Sequence, residues 1–237
     1  MCELYIYVTH VYVSCVDMWL IFPLLCLVGG TVPLDFHLVQ LAVLDGDFKT
    51  ATEYLSLLIE SRGSLSISER DVFSTAYRGL IQERLDAWKE AQGFAQLAIE
   101  AEIWQICSSL VTLLNRLISA GDENCVFYLK MKGDYSRYLA QVSSESRNRD
   151  MAVLVAQAAY AEASQRARTT LRPADPLRLG LAYNYSVLMH TLAGNPRMAR
   201  EIVETALAQG RATVTSPESR LVLGLLTGKL DEITNST

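Results

Sequence analysis

The segment VFYLKMKGDYSRYLAQV, residues 126–142, combines the spacing of a buried helix with a row of charged side chains. Lys130, Asp134 and Arg137 stand at positions i, i+4 and i+7, which form one line along a helix. Most other positions are apolar, and their spacing predicts that the remaining faces are buried. One interpretation of the row is a ladder of weak, exposed ion pairs. The other is a binding site for an anion, in which the guanidinium of Arg137 and the hydroxyl of Tyr138 donate hydrogen bonds. The residues of this helix alone leave both interpretations open.

The composition limits the classes of function. The chain has 237 residues, of which 50% are hydrophobic and 20% charged, and this balance is typical of a globular fold. A formal net charge of −5 disfavours nucleic acid as a partner, because such binding needs a basic surface. The five cysteines are scattered without a CxxC pair, which favours free thiols in a reducing compartment over disulfides or a zinc site. Because the histidines stand far apart and no catalytic or nucleotide-binding motif occurs, we expect no enzyme, no cofactor and no metal.

Helical periodicity dominates from about residue 34 onward. One predicted helix face consists of Ile99, Ile103, Ile106, Leu110, Leu113 and Leu117, at alternating spacings of four and three. Short polar breaks separate the helical stretches, and counting between them predicts an all-α fold of about nine helices, many of them antiparallel neighbours.

Four predicted helix starts carry a capping signal. Ser66 and Glu69 form a capping box, and three further cap residues each precede a proline suited to the first helical turn. These pairs are Asp175-Pro176, Asn195-Pro196 and Ser216-Pro217.

The first residues differ from the rest, so we divide the chain into an apolar leader (1–31), a helical domain (32–233) and a tail (234–237). The leader is a poorly ordered or mis-assigned segment, a segment packed on the domain or a partner, or a membrane anchor. A secretory signal is disfavoured because no lysine or arginine precedes Lys49. Membrane association is not favoured because Asp17 and Pro23 interrupt the apolar run.

Three blocks in this order carry a resemblance: LSISERDVFSTAYRGLIQERLDAW (65–88), the segment 126–142, and PLRLGLAYNYSVL (176–188). Together they resemble the 14-3-3 family of phosphopeptide-binding adaptors, over about residues 36 to 230. The resemblance implies an all-α domain of nine antiparallel helices that forms a cup with a concave groove. It further implies a cytoplasmic, usually dimeric protein that grips phosphoserine or phosphothreonine in extended peptides and has no enzymatic activity.

The family's phosphate clamp uses a lysine, two arginines and a tyrosine, and the resemblance carries it over in part. Arg137 and Tyr138 match one arginine and the tyrosine, and Arg78 stands where the family has the lysine. The second clamp arginine is replaced by Leu85. Arg84 precedes it but lies about 120° away from the Arg78 face of the helix, so we expect a surface residue rather than a substitute.

The family's contacts to the peptide backbone and side chains are also partly kept. Lys130 and Asn184 match the family, and Lys229 replaces a second asparagine. The expected set is Lys130, Tyr183, Asn184, Val187, Leu225 and Lys229. Lys229 either supplies the missing cation of the clamp or is neutralised by the nearby Glu232.

These departures predict a functional but weaker or re-specified phosphopeptide groove. Two rivals stay open: a degenerate scaffold that binds partners independently of phosphate, and a membrane-tethered adaptor. The chain is shorter than the family between Trp88 and Ile106, which predicts an altered or weaker homodimer.

The tail residues Thr234, Ser236 and Thr237 are phosphorylatable. They resemble the carboxyl-terminal ligands that some family members accept, although an ordinary frayed tail is favoured.

Overall fold

The computed structural model describes residues 36–119 and 124–236, and these residues form nine α-helices and no strand. The helices are α1 Phe36–Leu44, α2 Phe48–Arg62, α3 Ile67–Glu90, α4 Gly93–Ser119, α5 Cys125–Val142, α6 Ser146–Thr170, α7 Pro176–Thr191, α8 Pro196–Arg211 and α9 Pro217–Asn235. The prediction of an all-α fold of about nine helices is confirmed. The leader 1–31 and Thr237 lie outside the described residues, and the division into leader, domain and tail stays a prediction. Helix α9 itself continues through Thr234.

The predicted helix starts are confirmed by their caps. The Ser66 side chain accepts a bond from the Glu69 amide while the Glu69 carboxylate accepts from the Ser66 amide, which closes the capping box of α3. The side chains of Asp175, Asn195 and Ser216 each accept one bond from a backbone amide at the starts of α7, α8 and α9, and each is followed by proline in the first turn. Each cap satisfies a backbone amide that the first turn of a helix leaves without a partner.

Two connections between helices were not predicted from the sequence, because each is only two or three residues long. Residues 45–47 join α1 to α2, and residues 91–92 join α3 to α4. The chain turns there at Gly46 and at Gly93, whose φ angles of 76° and 58° lie in the left-handed region that favours glycine. A single glycine in a helical pattern gives little warning of a turn.

Two hydrophobic cores share the central helix α5. The first lies mainly among α1 to α5 and the second among α5 to α9. Tyr128 and Tyr135 of α5 belong to the first core, whereas Val126 and Leu129 belong to the second. All consecutive helices pack against each other, and α7 also contacts α5 and α9.

Helix α4 carries the predicted apolar face. Ile103, Leu110, Leu113 and Leu117 are buried, and Ile99 and Ile106 pack half-buried against the first core. By length and composition alone α4 could cross a membrane. The burial of this stripe in the first core explains part of its apolar character.

Candidate functional site

Asp134 is the centre of the charged row on α5 and joins three helices. Its Oδ2 lies 2.7 Å from the Lys130 ammonium nitrogen. Its Oδ1 accepts a bond of 2.6 Å from the Tyr160 hydroxyl on α6 and another of 2.6 Å from the Asn184 side-chain amide on α7. Three donors thus share one largely buried carboxylate, and hydrogen bonds to a charged group are stronger than neutral ones. The network fixes the orientation of Lys130 and Asn184.

Gly133 lets α6 come close enough to complete this network. A Cβ added at Gly133 would lie 2.5 Å from two atoms of the Tyr160 ring, so the ring packs directly on the α5 backbone. Tyr160 is fully buried. Burial, reinforced by the negative charge of Asp134, raises the pKa of Tyr160 well above its ordinary value, so its hydroxyl stays protonated and donates to Asp134. The position of Tyr160 could not be predicted from the sequence, because its only signal there is the glycine at position 133.

Arg137 lies beside the network rather than in an ion pair with it. Its guanidinium carbon sits 4.6 Å from the centroid of the Tyr138 ring, at the distance of a cation–π contact. Burial disfavours its charge, but Tyr160, Tyr138 and Asp134 outweigh that effect and raise the pKa of Arg137. Arg137 therefore keeps its positive charge. Asp134 therefore orients Lys130 directly, whereas Arg137 is held chiefly by tyrosines.

A chain of aromatic rings places α3 opposite α5. The Tyr77 and Tyr135 rings are 6.4 Å apart, and the Tyr135 and Tyr138 rings 5.5 Å apart, both edge to face. Arg78 follows Tyr77 on α3. It is exposed, and it forms no hydrogen bond or ion pair with the rest of the described chain. Its five donors are therefore open to an anion from outside.

Lys229 occupies a different environment from the one expected of a groove cation. Its side chain is only 3% exposed, and its ammonium nitrogen lies 2.8 Å from Glu232 and 3.1 Å from Nδ1 of His190. Of the two alternatives for Lys229, the structure shows the pairing with Glu232. The ammonium donates, so Nδ1 of His190 accepts and its proton is assigned to Nε2.

The three large apolar or aromatic residues that the resemblance places in contact with the peptide are partly exposed. Leu225 on α9 is 49% exposed, and Tyr183 and Val187 on α7 are half-buried. A Cβ at Gly180, which shares the Asn184 face of α7, would lie 3.8 Å from Cε of Lys130. This face of α7 is therefore turned toward the charged row of α5.

Comparison with known proteins decides the family. The family model described as 14-3-3 protein matches residues 38–227. The chain belongs to the 14-3-3 family. It is 31% identical over 201 residues to 14-3-3 protein theta of Mus musculus, an alignment that covers 74% of this chain and 82% of the relative. It is also 31% identical over 201 residues to 14-3-3 protein beta/alpha of Rattus norvegicus, an alignment that covers 74% of this chain and 81% of the relative.

Membership of the 14-3-3 family supports a general role in phosphopeptide binding. The family's proteins are non-enzymatic adaptors for phosphorylated proteins, and they are typically dimeric, soluble and cytoplasmic. No group of three or more potential metal ligands occurs among residues 36–119 and 124–236.

The resemblance predicts a departure from the family's clamp at Leu85. Leu85 is 4% exposed and belongs to the first core. Arg84 forms an ion pair of 3.2 Å with Glu102 on α4. Its charge is thus engaged at the α3–α4 interface. Arg84 is half-buried, with Nε buried and without a hydrogen-bond partner among the described residues, so it is less exposed than the expected surface residue.

Proposed function

We propose that the chain is an adaptor that binds phosphoserine or phosphothreonine peptides through a reduced clamp of Arg78, Arg137 and Tyr138. The observation that carries the proposal is the Asp134 network, which holds Lys130 and Asn184 beside a charged Arg137. A phosphate brings about two negative charges and strong acceptor oxygens, which suit arginine donors. Asn184 and Lys130 then contact the peptide, and Tyr183, Val187 and Leu225 form its apolar wall.

The clamp is weaker than the family's because it lacks one of the three cations. Leu85 offers no donor, and the ammonium of Lys229 is buried against Glu232. A hydrogen bond to a charged group contributes about 1.5–3 kcal/mol, so loss of one arginine weakens phosphopeptide binding by roughly tenfold to a hundredfold. We expect phosphate-dependent binding at lower affinity than with an intact clamp, and it should weaken further with salt.

The test is a titration of a fluorescent, arginine-rich phosphoserine peptide and its unphosphorylated twin. Arg137→Ala and Arg78→Ala should each lower affinity for the phosphopeptide by about tenfold or more. Arg84→Ala is the matched control for Arg78→Ala, because it removes the same charge from the same helix at a residue that already pairs with Glu102. The control should bind like the wild type.

A phosphate-independent scaffold is the alternative, and the burial of Leu85 in the first core favours it. On that alternative the wild type binds both peptides equally, and Arg78→Ala changes nothing. Such a result would contradict the clamp and leave apolar contacts as the basis of partner binding.

We further propose that the chain forms an atypical, weak homodimer in the cytoplasm. Leu44 on α1 is 81% exposed and Phe94 at the start of α4 is 92% exposed. The family pairs these two elements across its dimer, and here residues 91–92 alone join α3 to α4. Large exposed apolar side chains gain stability when a second copy covers them.

Sedimentation at micromolar concentration tests the dimer. Leu44→Glu and Phe94→Glu should shift the protein to monomer, whereas Leu221→Glu on α9, at a residue 69% exposed, should leave assembly unchanged. A tight dimer that tolerates both substitutions would contradict the proposed interface.

A further inference from the structure

A cavity of about 390 Å³ lies between α6, α7 and α8, and we call it the outer pocket. Helix α7 lines it with Arg178, Ala182 and Tyr185, at positions i, i+4 and i+7 of one helix face. Two residues further along a helix is about 200° round the axis, so Asn184 and Val187 face the opposite way. The outer pocket is therefore separate from the peptide groove. Its volume is in the range of small-molecule sites.

The walls of the outer pocket are mostly apolar. Ala161 of α6, Ala182 of α7, and Met198, Ile202 and Ala206 of α8 contribute to them. The small alanine side chains leave the space between α6 and α8 unfilled. An apolar cavity with a few convergent polar groups is the usual form of a ligand site.

The positive charge is concentrated at one end of the outer pocket. Arg178 donates to the Leu171 carbonyl at 3.1 Å and to the Gln209 side-chain carbonyl at 2.7 Å, which fixes its guanidinium. Arg168 donates to the Ser164 carbonyl. These three acceptors are neutral, and neither arginine has a carboxylate partner in the described part of the chain. Two arginine charges at this end are thus not neutralised.

The opposite end carries a different polar group. Tyr185 is 7% exposed, and its hydroxyl has no hydrogen-bond partner among the described residues. Seven residues of helix separate it from Arg178, a distance of about 10 Å. The hydroxyl is thus available to donate a hydrogen bond to an oxygen atom of a ligand.

The acidic residue of the lining lies away from the two arginines. Glu201 stands in the first turns of α8, eight residues from Gln209, and pairs with Arg197 at 3.2 Å. Because eight residues of helix span about 12 Å, Glu201 does not neutralise the arginine end. The outer pocket is therefore polarised along its length.

We propose that the outer pocket binds an apolar chain with a carboxylate at one end and a hydroxyl or carbonyl oxygen at the other. The carboxylate lies against Arg178 and Arg168, the chain fills the space over Ala182 and Ile202, and the far oxygen accepts a bond from Tyr185. Arginine suits this role because its planar fork matches a carboxylate.

The experiment is calorimetric titration of the full-length protein with three probes below their micelle-forming concentrations: decanoate, 10-hydroxydecanoate and decanol. We expect saturable binding of decanoate at one site per chain and at least about tenfold weaker binding of decanol, which lacks the charge. 10-Hydroxydecanoate should bind about two- to tenfold tighter than decanoate, and Tyr185→Phe should remove that advantage.

Variants identify the site. Arg168→Gln should weaken decanoate about tenfold, and Ile202→Trp or Ala182→Leu, which fill the cavity, should abolish binding while circular dichroism stays that of the wild type. Arg137→Ala is the control for binding in the peptide groove and should bind decanoate unchanged. Absence of saturable binding, equal binding of decanol, or loss of binding in Arg137→Ala would each overturn the proposal.

Discussion

Gly133→Ala is the substitution that most directly tests the packing of α5 against α6. The new methyl carbon would lie 2.5 Å from Cδ1 and Cε1 of the Tyr160 ring, closer than two carbon atoms approach. Tyr160 is fully buried, so its ring has no free space to enter. The ring must shift, and its hydroxyl then loses the 2.6 Å bond to Asp134.

The expected cost combines three effects. Overpacking a core costs about 1–3 kcal/mol, and loss of a hydrogen bond to a charged group costs about 1.5–3 kcal/mol. Alanine in place of glycine within a helix stabilises the folded state by about 1 kcal/mol. The free energy of unfolding should therefore fall by about 1.5–5 kcal/mol.

Gly224→Ala is the matched control. Gly224 also lies within a helix, but a Cβ there would meet no atom within 4 Å. Only the gain in helix propensity applies, so this variant should be more stable by about 0.5–1 kcal/mol. Tyr160→Phe measures the cost of the lost hydrogen bond apart from the cost of overpacking, because it removes the hydroxyl without adding volume.

The measurement is urea unfolding followed by far-ultraviolet circular dichroism, with unchanged slopes required for comparison. Phosphopeptide affinity of Gly133→Ala should also fall, because Asp134 orients Lys130 and Asn184. If Gly133→Ala is as stable as Gly224→Ala, the Tyr160 ring does not pack directly on the α5 backbone at Gly133.

Three further predictions concern buried or paired groups. Lys229→Met should leave the free energy of unfolding within about 1 kcal/mol of the wild type or higher, because it removes a buried charge and leaves Glu232 in water; a tenfold loss of phosphopeptide affinity would instead place Lys229 in the clamp. Burial raises the pKa of the Cys107 thiol, so a maleimide should label it only after unfolding, and rapid labelling of the native protein, mapped by mass spectrometry, would contradict this. Burial opposes the charge of Glu69, but hydrogen bonds led by those of Ser66 outweigh it and lower its pKa below the ordinary 4.5. Its stabilising effect is therefore present above pH 4.5 and lost as the pH falls through the lowered pKa, so Glu69→Gln should cost about 1 kcal/mol at pH 7 and little in acid. A cost that is the same at pH 7 and pH 3 would contradict the role of the charge.

Several features of the fold could be predicted from residues that are close together in the sequence. The caps at Ser66, Asp175, Asn195 and Ser216 were predictable because a cap depends on residues within one turn of each other. Helix periodicity likewise placed Arg84 on a different face from Arg78, and its pairing with Glu102 agrees with that. Where the determining contacts lie within a few residues, the sequence predicts them well.

The candidate site depends on contacts that sequence spacing does not encode. The partners of Asp134 lie 26 and 50 residues away, at Tyr160 and Asn184. The burial of Lys229 likewise follows from how α9 packs on α7, and lysine as a residue type predicts the opposite. Both depend on the rotation of whole helices against one another.

Because α5 contributes residues to both hydrophobic cores, its place in the chain affects the order in which the cores can form during synthesis. When a ribosome has translated the chain as far as residue 124, it has synthesised α1 to α4 but not the helix that completes their core. The same helix, once complete, offers Val126 and Leu129 to helices that have not yet been synthesised. The first core therefore cannot be completed before α5 is made, and the second core is incomplete without the residues of α5. A transcript cut short before residue 125 would yield a chain without either finished core.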